Sequence, residues 1–302
     1  MHKISALAIL FLIPILSFAQ FFVPSDSLEK NRLISVISLE SIGSVGSIIL
    51  LNEMWYKQYP RSPFHSFDDR TEWLQMDKVG HAMTSYYLGY AGYEVLDWSG
   101  ANNNRSIIYG GTLGLGYLTM LEILDGFSSE WGFSFTDMLS NTFGSGLFIS
   151  QQFLWEEQRI KMKFSSHLTS ISQYRPNLLG YSIPERILKD YNGQTYWLSV
   201  NIKDFLNADS NFPSWLNFAI GYGADGMTGG KENKAEYCNG DPTCLALTRN
   251  RQLYLSLDAD LTKIKWKRKF FHTLFGSFGF IKIPFPTLEI SKPNTKFYWL
   301  YF

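Results

Sequence analysis

The spacing of apolar residues divides the chain into a helical part and a strand-forming part. Up to about residue 155, apolar residues recur every three or four positions, a period typical of helices. After Tyr196 they recur every second position, as in Leu253, Leu255 and Leu257, and this period predicts half-buried strands. The pattern therefore predicts an α+β protein, with an N-terminal bundle of about four helices followed by an antiparallel β-rich C-terminal region.

These periods also place the individual elements along the chain. Helices are predicted over residues 33–51, 76–98, 105–124 and 135–155. Strands are predicted over residues 196–202, 215–224, 252–261, 273–283 and 296–302, with a short one near residue 288. Because turn and loop residues separate the strands, an antiparallel meander is the expected arrangement.

The first residues have the features of a secretory signal peptide. A positive start at Lys3 precedes an apolar run to Leu16, and Ser17 and Ala19 place small residues before a cut after Ala19. The run is too short to be a comfortable membrane anchor. No cysteine lies near the cut, so a lipoprotein attachment site is not expected. We predict a signal peptide at 1–19, a helical domain at 20–160, a linker at 161–195 and a β region at 196–302.

Export bears on the two cysteines and on the partners of the chain. Cys238 and Cys244 enclose a short loop, and in an oxidising compartment they are predicted to form a disulfide. Lys and Arg total 27 and Asp and Glu total 27, so the chain has no basic excess for a nucleic-acid partner. A membrane or a membrane protein is the expected partner, because aromatic residues make up 17% of the chain.

The charge-free stretches of the helical half leave the membrane question open. Residues 106–121 and 138–155 approach the ~20 residues that a membrane span needs. Both are rich in small and polar residues, which are typical of close helix–helix contact. We favour a bundle that packs on itself or lies against a membrane over true spans.

Polar residues fall in pairs at the ends of three predicted helices. Each pair is spaced by three or four positions, so its members share one helix face. The pairs are Asp77/His81, Glu122/Asp125 and Asp137/Asn141. If the helices pack antiparallel, the three ends meet at one rim of the bundle.

Two interpretations of this rim compete. In the functional one, Asp77, His81, Glu122 and Asp137 bind a divalent metal ion, or His81 acts with Glu122 and Asp137 as a catalytic acid–base group. In the structural one, the same residues form a polar network with Lys78, Asp125 and Asn141. Asp77 then caps its helix and pairs with Lys78 or His81, and Glu122 accepts from a backbone or Trp131 donor.

Three sequence blocks within residues 70–155 resemble a known family. They are Met76-Asp-Lys-Val-Gly-His81, Glu122-Ile-Leu-Asp125 and Trp131-Gly-Phe-Ser-Phe-Thr-Asp137-Met-Leu-Ser-Asn141-Thr-Phe-Gly144. In this order they are similar to bacterial proteins described as predicted periplasmic lipoproteins of unknown function, and also to VanZ-like membrane proteins. The resemblance implies a small envelope-associated helical module with no established reaction.

The last residues point to the outer membrane as well. The aromatic segment from Lys296 to Phe302 resembles the end of bacterial outer-membrane barrel proteins, although a soluble sheet packed on the helices is an alternative. Our leading hypothesis is a non-enzymatic cell-envelope protein in the periplasm or outer membrane of a Gram-negative-type cell. One alternative is a metal-dependent or acid–base enzyme acting on a lipid or cell-wall component. Another is a subunit of an envelope complex.

Overall fold

The fold is taken from a computed structural model of the chain. It describes residues 24–54, 57, 59–207, 209–264, 275–276, 278–292 and 294–302. The predicted signal peptide at 1–19 lies outside these residues. The strand predicted over residues 273–283 is wrong for its described residues, 275–276 and 278–283, which form turns and irregular chain with one isolated bridge between Ile281 and Phe164. The chain divides into two compact units. Unit 1 comprises Met1–Arg70 and Gly80–Gln158, and unit 2 comprises Thr71–Val79 and Arg159–Phe302.

The N-terminal half is helical, and an antiparallel sheet follows it, so the predicted α+β class is confirmed. The predicted bounds of the second and fourth long helices are also confirmed. The helices of this half are α1 (Lys30–Met54), α2 (Met76–Trp98), α3 (Asn103–Arg105), a π-helical turn (Ser106–Gly110), α4 (Leu113–Asp125) and α5 (Phe135–Trp155).

Small residues allow the backbones of α2 and α5 to approach closely in unit 1. A Cβ atom on Gly144 would overlap the carbonyl oxygen of Ala82. The Ser85 hydroxyl donates to the Asn141 carbonyl oxygen at 2.7 Å and lies 2.9 Å from the Ser145 hydroxyl. The predicted role of small residues in helix contact therefore has a specific instance here.

The helices of unit 1 also expose many apolar side chains. Two helical stretches, Lys30–Glu53 and Asn103–Asp125, are long and apolar enough to cross a membrane by length and composition. Only 6% of the most apolar 18 residues of the first is buried, whereas 39% of the corresponding residues of the second is buried. Their contact point is a small core of Leu51, Leu118 and Leu121.

Unit 2 contains one six-stranded antiparallel sheet in the order β1-β2-β3-β4-β5-β6, so each strand pairs with the next along the chain. The strands are β1 (Ile160–Ser166), β2 (Gln194–Asn201), β3 (Leu216–Asp225), β4 (Asn250–Ala259), β5 (Phe285–Ser291) and β6 (Thr295–Tyr301). Three short α-helices accompany them: α6 (Pro176–Leu179), α7 (Ile183–Lys189) and α8 (Pro242–Leu245). A disulfide joins Cys238 to Cys244, as predicted.

The segment predicted as a linker, 161–195, differs from that prediction. Its first residues belong to β1, and its remainder forms α6, α7 and short 3-10 turns. The polar residues of this segment, lysines included, predicted a solvated linker. In the structure, however, Lys161 and Lys163 point to the inner side of the sheet. There they pair with Asp260 at 2.8 Å and with Asp258 at 2.6 Å.

Candidate acid–histidine centre

A hydrogen bond between α2 and α5 orients the imidazole of His81 in unit 1. His81 Nδ1 lies 3.1 Å from Asn141 Oδ1, and both side chains are buried. An amide oxygen only accepts hydrogen bonds, so Nδ1 carries the proton in this contact. In the neutral ring, Nε2 then presents its lone pair to the opposite side.

Two carboxylates face that lone pair. His81 Nε2 lies 4.0 Å from Glu122 Oε1 on α4 and 4.0 Å from Asp137 Oδ2 on α5. The three side chains are 8%, 4% and 2% exposed. The imidazole nitrogen and the two carboxylate oxygens all carry lone pairs, and burial removes the water that would weaken their repulsion. A proton or a cation between them would therefore stabilise the arrangement.

Protonation of Glu122 relieves part of this repulsion. Burial raises the pKa of Glu122 to about 9; His81 opposes that rise, while Asp137 and the buried Asp125 add to it. Glu122 is therefore a neutral acid at pH 7. The Ser134 N–H donates to Glu122 Oε2 at 3.0 Å, and this backbone hydrogen bond favours the charged form of the carboxyl group.

Ser134 joins the parts of the centre. It caps the N-terminus of α5, and its hydroxyl accepts from the Asp137 N–H at 3.1 Å. The same hydroxyl donates to Asp69 Oδ1 at 2.8 Å, and Thr136 Oγ1 donates to that oxygen at 2.7 Å. One residue thus holds both Glu122 and Asp137 through its own backbone and side chain.

Sequence reasoning did not include Ser134 or Asp69 in the cluster. A signal for Ser134 was present, because Ser134-Phe-Thr-Asp137 before an apolar helix matches a helix-capping pattern. Asp69 gives no local signal, since it lies 65 residues from Ser134 in the chain and follows an irregular connector.

Asp77 and Lys78 lie at the start of α2, one helical turn before His81. This first turn of α2 is part of unit 2, whereas His81 belongs to unit 1. Asp77 accepts from the Tyr191 hydroxyl at 2.7 Å and pairs with Lys78 at 3.3 Å. Whether Asp77, His81, Glu122 and Asp137 share a metal ion stays a prediction.

The centre falls inside a region that is similar to a described family. Residues 66–151 match the family model of the predicted periplasmic lipoproteins (DUF2279). The match covers less than a third of the chain but contains Asp69, His81, Glu122, Ser134 and Asp137. It supports an exported, periplasmic location. The similarity to VanZ-like proteins stays a prediction. No curated protein and no solved structure matches the chain.

Proposed function

We propose that the chain is a non-enzymatic cell-envelope protein whose helical unit is organised around a closed divalent-metal centre. His81, Glu122 and Asp137, which all belong to unit 1, would be the ligands. The observation that carries the proposal is the placement of His81 Nε2 4.0 Å from each of two buried carboxylates.

The mixed donor set suits Zn²⁺ or Mn²⁺, because imidazole favours Zn²⁺ and carboxylates favour Mn²⁺. Zinc ligands at about 2.1 Å from the ion lie about 3.4 Å from one another in tetrahedral geometry, so the distances from His81 Nε2 to Glu122 Oε1 and to Asp137 Oδ2 would each contract by roughly half an ångström on binding. Side-chain adjustment supplies movements of that size.

The surroundings of the ligands also support the proposal. A histidine that binds metal through Nε2 normally donates its Nδ1–H to an oxygen, as His81 does to Asn141. The Ser134 N–H holds Glu122 Oε2 and leaves Oε1 toward His81. Ligands this buried are typical of structural metal sites, whereas catalytic sites keep an open position.

Metal titration of the full chain tests the proposal. We expect isothermal calorimetry to show one Zn²⁺ or Mn²⁺ per chain, and EDTA to lower the unfolding temperature. Asp137→Asn and Glu122→Gln should each weaken binding by about tenfold or more, the scale on which even outer-sphere partners of metal sites act. The control is Asp68→Asn, which changes an exposed carboxylate outside the centre. The metal centre would be contradicted if Asp137→Asn and Glu122→Gln bound the metal ion as tightly as the control Asp68→Asn. It would also be contradicted if the wild type bound no metal ion.

An acid–base enzyme acting on a lipid or cell-wall component is the second candidate. The observation that favours it is the placement of His81 Nε2 4.0 Å from Glu122, whose pKa burial raises, since a histidine beside a carboxylic acid of raised pKa is typical of acid–base pairs. Envelope lipids and peptidoglycan fragments can be incubated with the wild type and with Glu122→Gln, and the products followed by mass spectrometry. Turnover by the wild type alone would favour this candidate.

The proposal includes a membrane, or a membrane protein, as the partner of the helical unit. Its long helices would form the predicted bundle and lie against the periplasmic or outer-membrane surface. Support comes from α1, which exposes Ile34, Ile37, Leu39, Ile42, Val45 and Ile49. Contiguous apolar surface of this kind marks interaction sites. Fractionation should recover the chain with envelope membranes, and a chain found only in the cytoplasm would refute the proposal.

A further inference from the structure

The sheet of unit 2 has a polarity opposite to that of a sheet in a water-soluble protein. Soluble antiparallel sheets bury an apolar face and turn a polar face to water. Here most exposed positions of β3–β6 are apolar or aromatic, and the exposed polar ones are Arg251, Thr295 and Lys296 near the strand ends. We call the exposed and partly exposed apolar and aromatic side chains on one side of these strands the outward face. Its members are Phe218, Ile220, Tyr222, Leu253, Leu255, Leu257, Leu288, Ile290, Phe297 and Trp299.

The pairing register makes this face continuous. Ile220 lies opposite Leu255, Leu255 opposite Leu288, and Leu288 opposite Phe297. A second row joins Tyr222 to Leu253 and Leu253 to Ile290. Ile220 and Leu253 are each 50% exposed, and Trp299 is 79% exposed. The rows therefore form one uncharged surface across four strands.

The inner side of the same sheet is rich in buried polar groups. Asp258 pairs with Lys163 at 2.6 Å and accepts from Ser199 at 2.7 Å, although all three residues are buried. Tyr301 donates to the Tyr254 hydroxyl at 2.9 Å and lies 3.0 Å from the Thr195 hydroxyl. Ion pairs and hydroxyl chains thus occupy the side that water-soluble sheets fill with aliphatic residues.

We propose that the outward face contacts the acyl chains of a lipid bilayer. Strands that alternate apolar outward and polar inward residues are the pattern of proteins whose sheet faces lipid. A second protein would instead be recognised in part through hydrogen bonds and charges, whereas the ten side chains carry no charge and offer only the Trp299 indole N–H and the Tyr222 hydroxyl, which donates to the Leu74 carbonyl oxygen. The inference concerns unit 2 and does not depend on a metal ion in unit 1.

The length of the strands and the residues at their ends fit the same environment. The two central strands of the face, β3 and β4, each have ten residues, and a lipid-facing strand needs about 9–11, whereas β5 and β6 have seven each. At one end of the face lies Arg251, opposite Ala224. At the other end lie Trp215 and Trp299, both exposed. Charged and Trp side chains at the two ends of an apolar band are typical of membrane–water boundaries.

Spin labels on the full chain can identify what covers the face. Single cysteines would replace Leu255 and Ile290 on the outward face, Leu206 in an exposed segment as a water control, and Ser256 on the inner side as a shielded control. The Cys238–Cys244 disulfide stays oxidised during labelling. The protein is placed in vesicles of phosphatidylethanolamine and phosphatidylglycerol. Electron paramagnetic resonance then measures collisions with oxygen, which enters lipid, and with chromium oxalate, which stays in water.

The inference predicts a several-fold higher ratio of oxygen to chromium oxalate collisions at residues 255 and 290 than at residue 206. Low collision rates with both reagents at residues 255 and 290, as at residue 256, would show that a protein or a second copy covers the face, and would overturn the inference. Chromium oxalate access equal to that at residue 206 would show a water-facing surface and would overturn it as well. None of these results depends on metal binding by unit 1.

Discussion

Replacement of Ser134 by Ala tests whether this residue holds the candidate centre together. The change removes two interactions of the hydroxyl: the cap on the Asp137 N–H and the donation to Asp69. An N-cap contributes about 1 kcal/mol. A hydrogen bond to a charged group contributes about 1.5–3 kcal/mol. Thr136 still donates to Asp69, so the lower part of that range applies. We expect a loss of about 2–3 kcal/mol of local stability at the start of α5.

Hydrogen exchange is the appropriate assay, because the two units need not unfold in one step and a single unfolding temperature would average them. A loss of 2–3 kcal/mol should speed exchange of the first amides of α5 by roughly 30- to 150-fold. Glycine is a good N-cap residue, so Ser134→Gly loses only a few tenths of a kcal/mol of capping energy. The faster exchange of this variant should therefore report mainly the loss of the hydrogen bond to Asp69.

Ser150→Ala is the matched control. Ser150 lies on the same helix, is exposed, and makes only a local bond to the Leu147 carbonyl oxygen, so its change should cost less than about 0.5 kcal/mol. If Ser134→Ala exchanges no faster than Ser150→Ala, the reasoning about Ser134 is refuted. The metal affinity of Ser134→Ala should also fall, because Asp137 loses its fixed position.

Three further changes test the packing of the two units. Gly144→Ala should lower the free energy of unfolding in urea by about 1–3 kcal/mol, because the new Cβ would overlap the Ala82 carbonyl oxygen. Gly146 has open space around it, so Gly146→Ala should leave this free energy unchanged or raise it by about 0.5–1 kcal/mol. Equal effects of the two changes would contradict the close helix contact. Asp258→Ala should cost about 3–5 kcal/mol because it leaves the buried Lys163 without its ion partner, while Asp68→Ala on the surface should cost less than about 1 kcal/mol in the same assay. Replacing both Cys238 and Cys244 by Ser should lower stability by about 2 kcal/mol, as expected for a small closed loop, and an unchanged unfolding midpoint would argue against this disulfide as a support of unit 2.

The helical part of the fold was predictable because its signals are local. The bounds of α2 and α5 follow from apolar periods that begin and end beside polar or glycine-rich turns. The π-helical turn between α3 and α4 was not predictable. It contains one residue more than an α-helical turn, and such an insertion does not change the amino-acid composition of the helix. The predicted third helix is consequently divided in the structure.

The strands show the limit of the same method. Alternation at Leu253, Leu255 and Leu257 predicts a strand, but it does not say which side faces inward. The usual assumption buries the leucines, and the structure exposes them. β1 escaped prediction for a related reason, because Lys161 and Lys163 find their acidic partners about 100 residues later in the chain.

The candidate centre depends on contacts that only the folded chain creates. Helix spacing pairs Asp77 with His81 and Asp137 with Asn141, and that information is local. The approach of Glu122 to His81 depends on how α4 packs on α2. The contribution of Asp69 depends on a connector that has no periodic pattern.

The outward face of the sheet has a consequence for how the protein reaches its final place. A chain with this face must pass through water after secretion, and exposed apolar strands in water associate with one another. The newly secreted chain therefore depends on a holding chaperone, or on rapid delivery to its destination. Overproduction without such help should yield insoluble aggregates rather than a dispersed periplasmic pool.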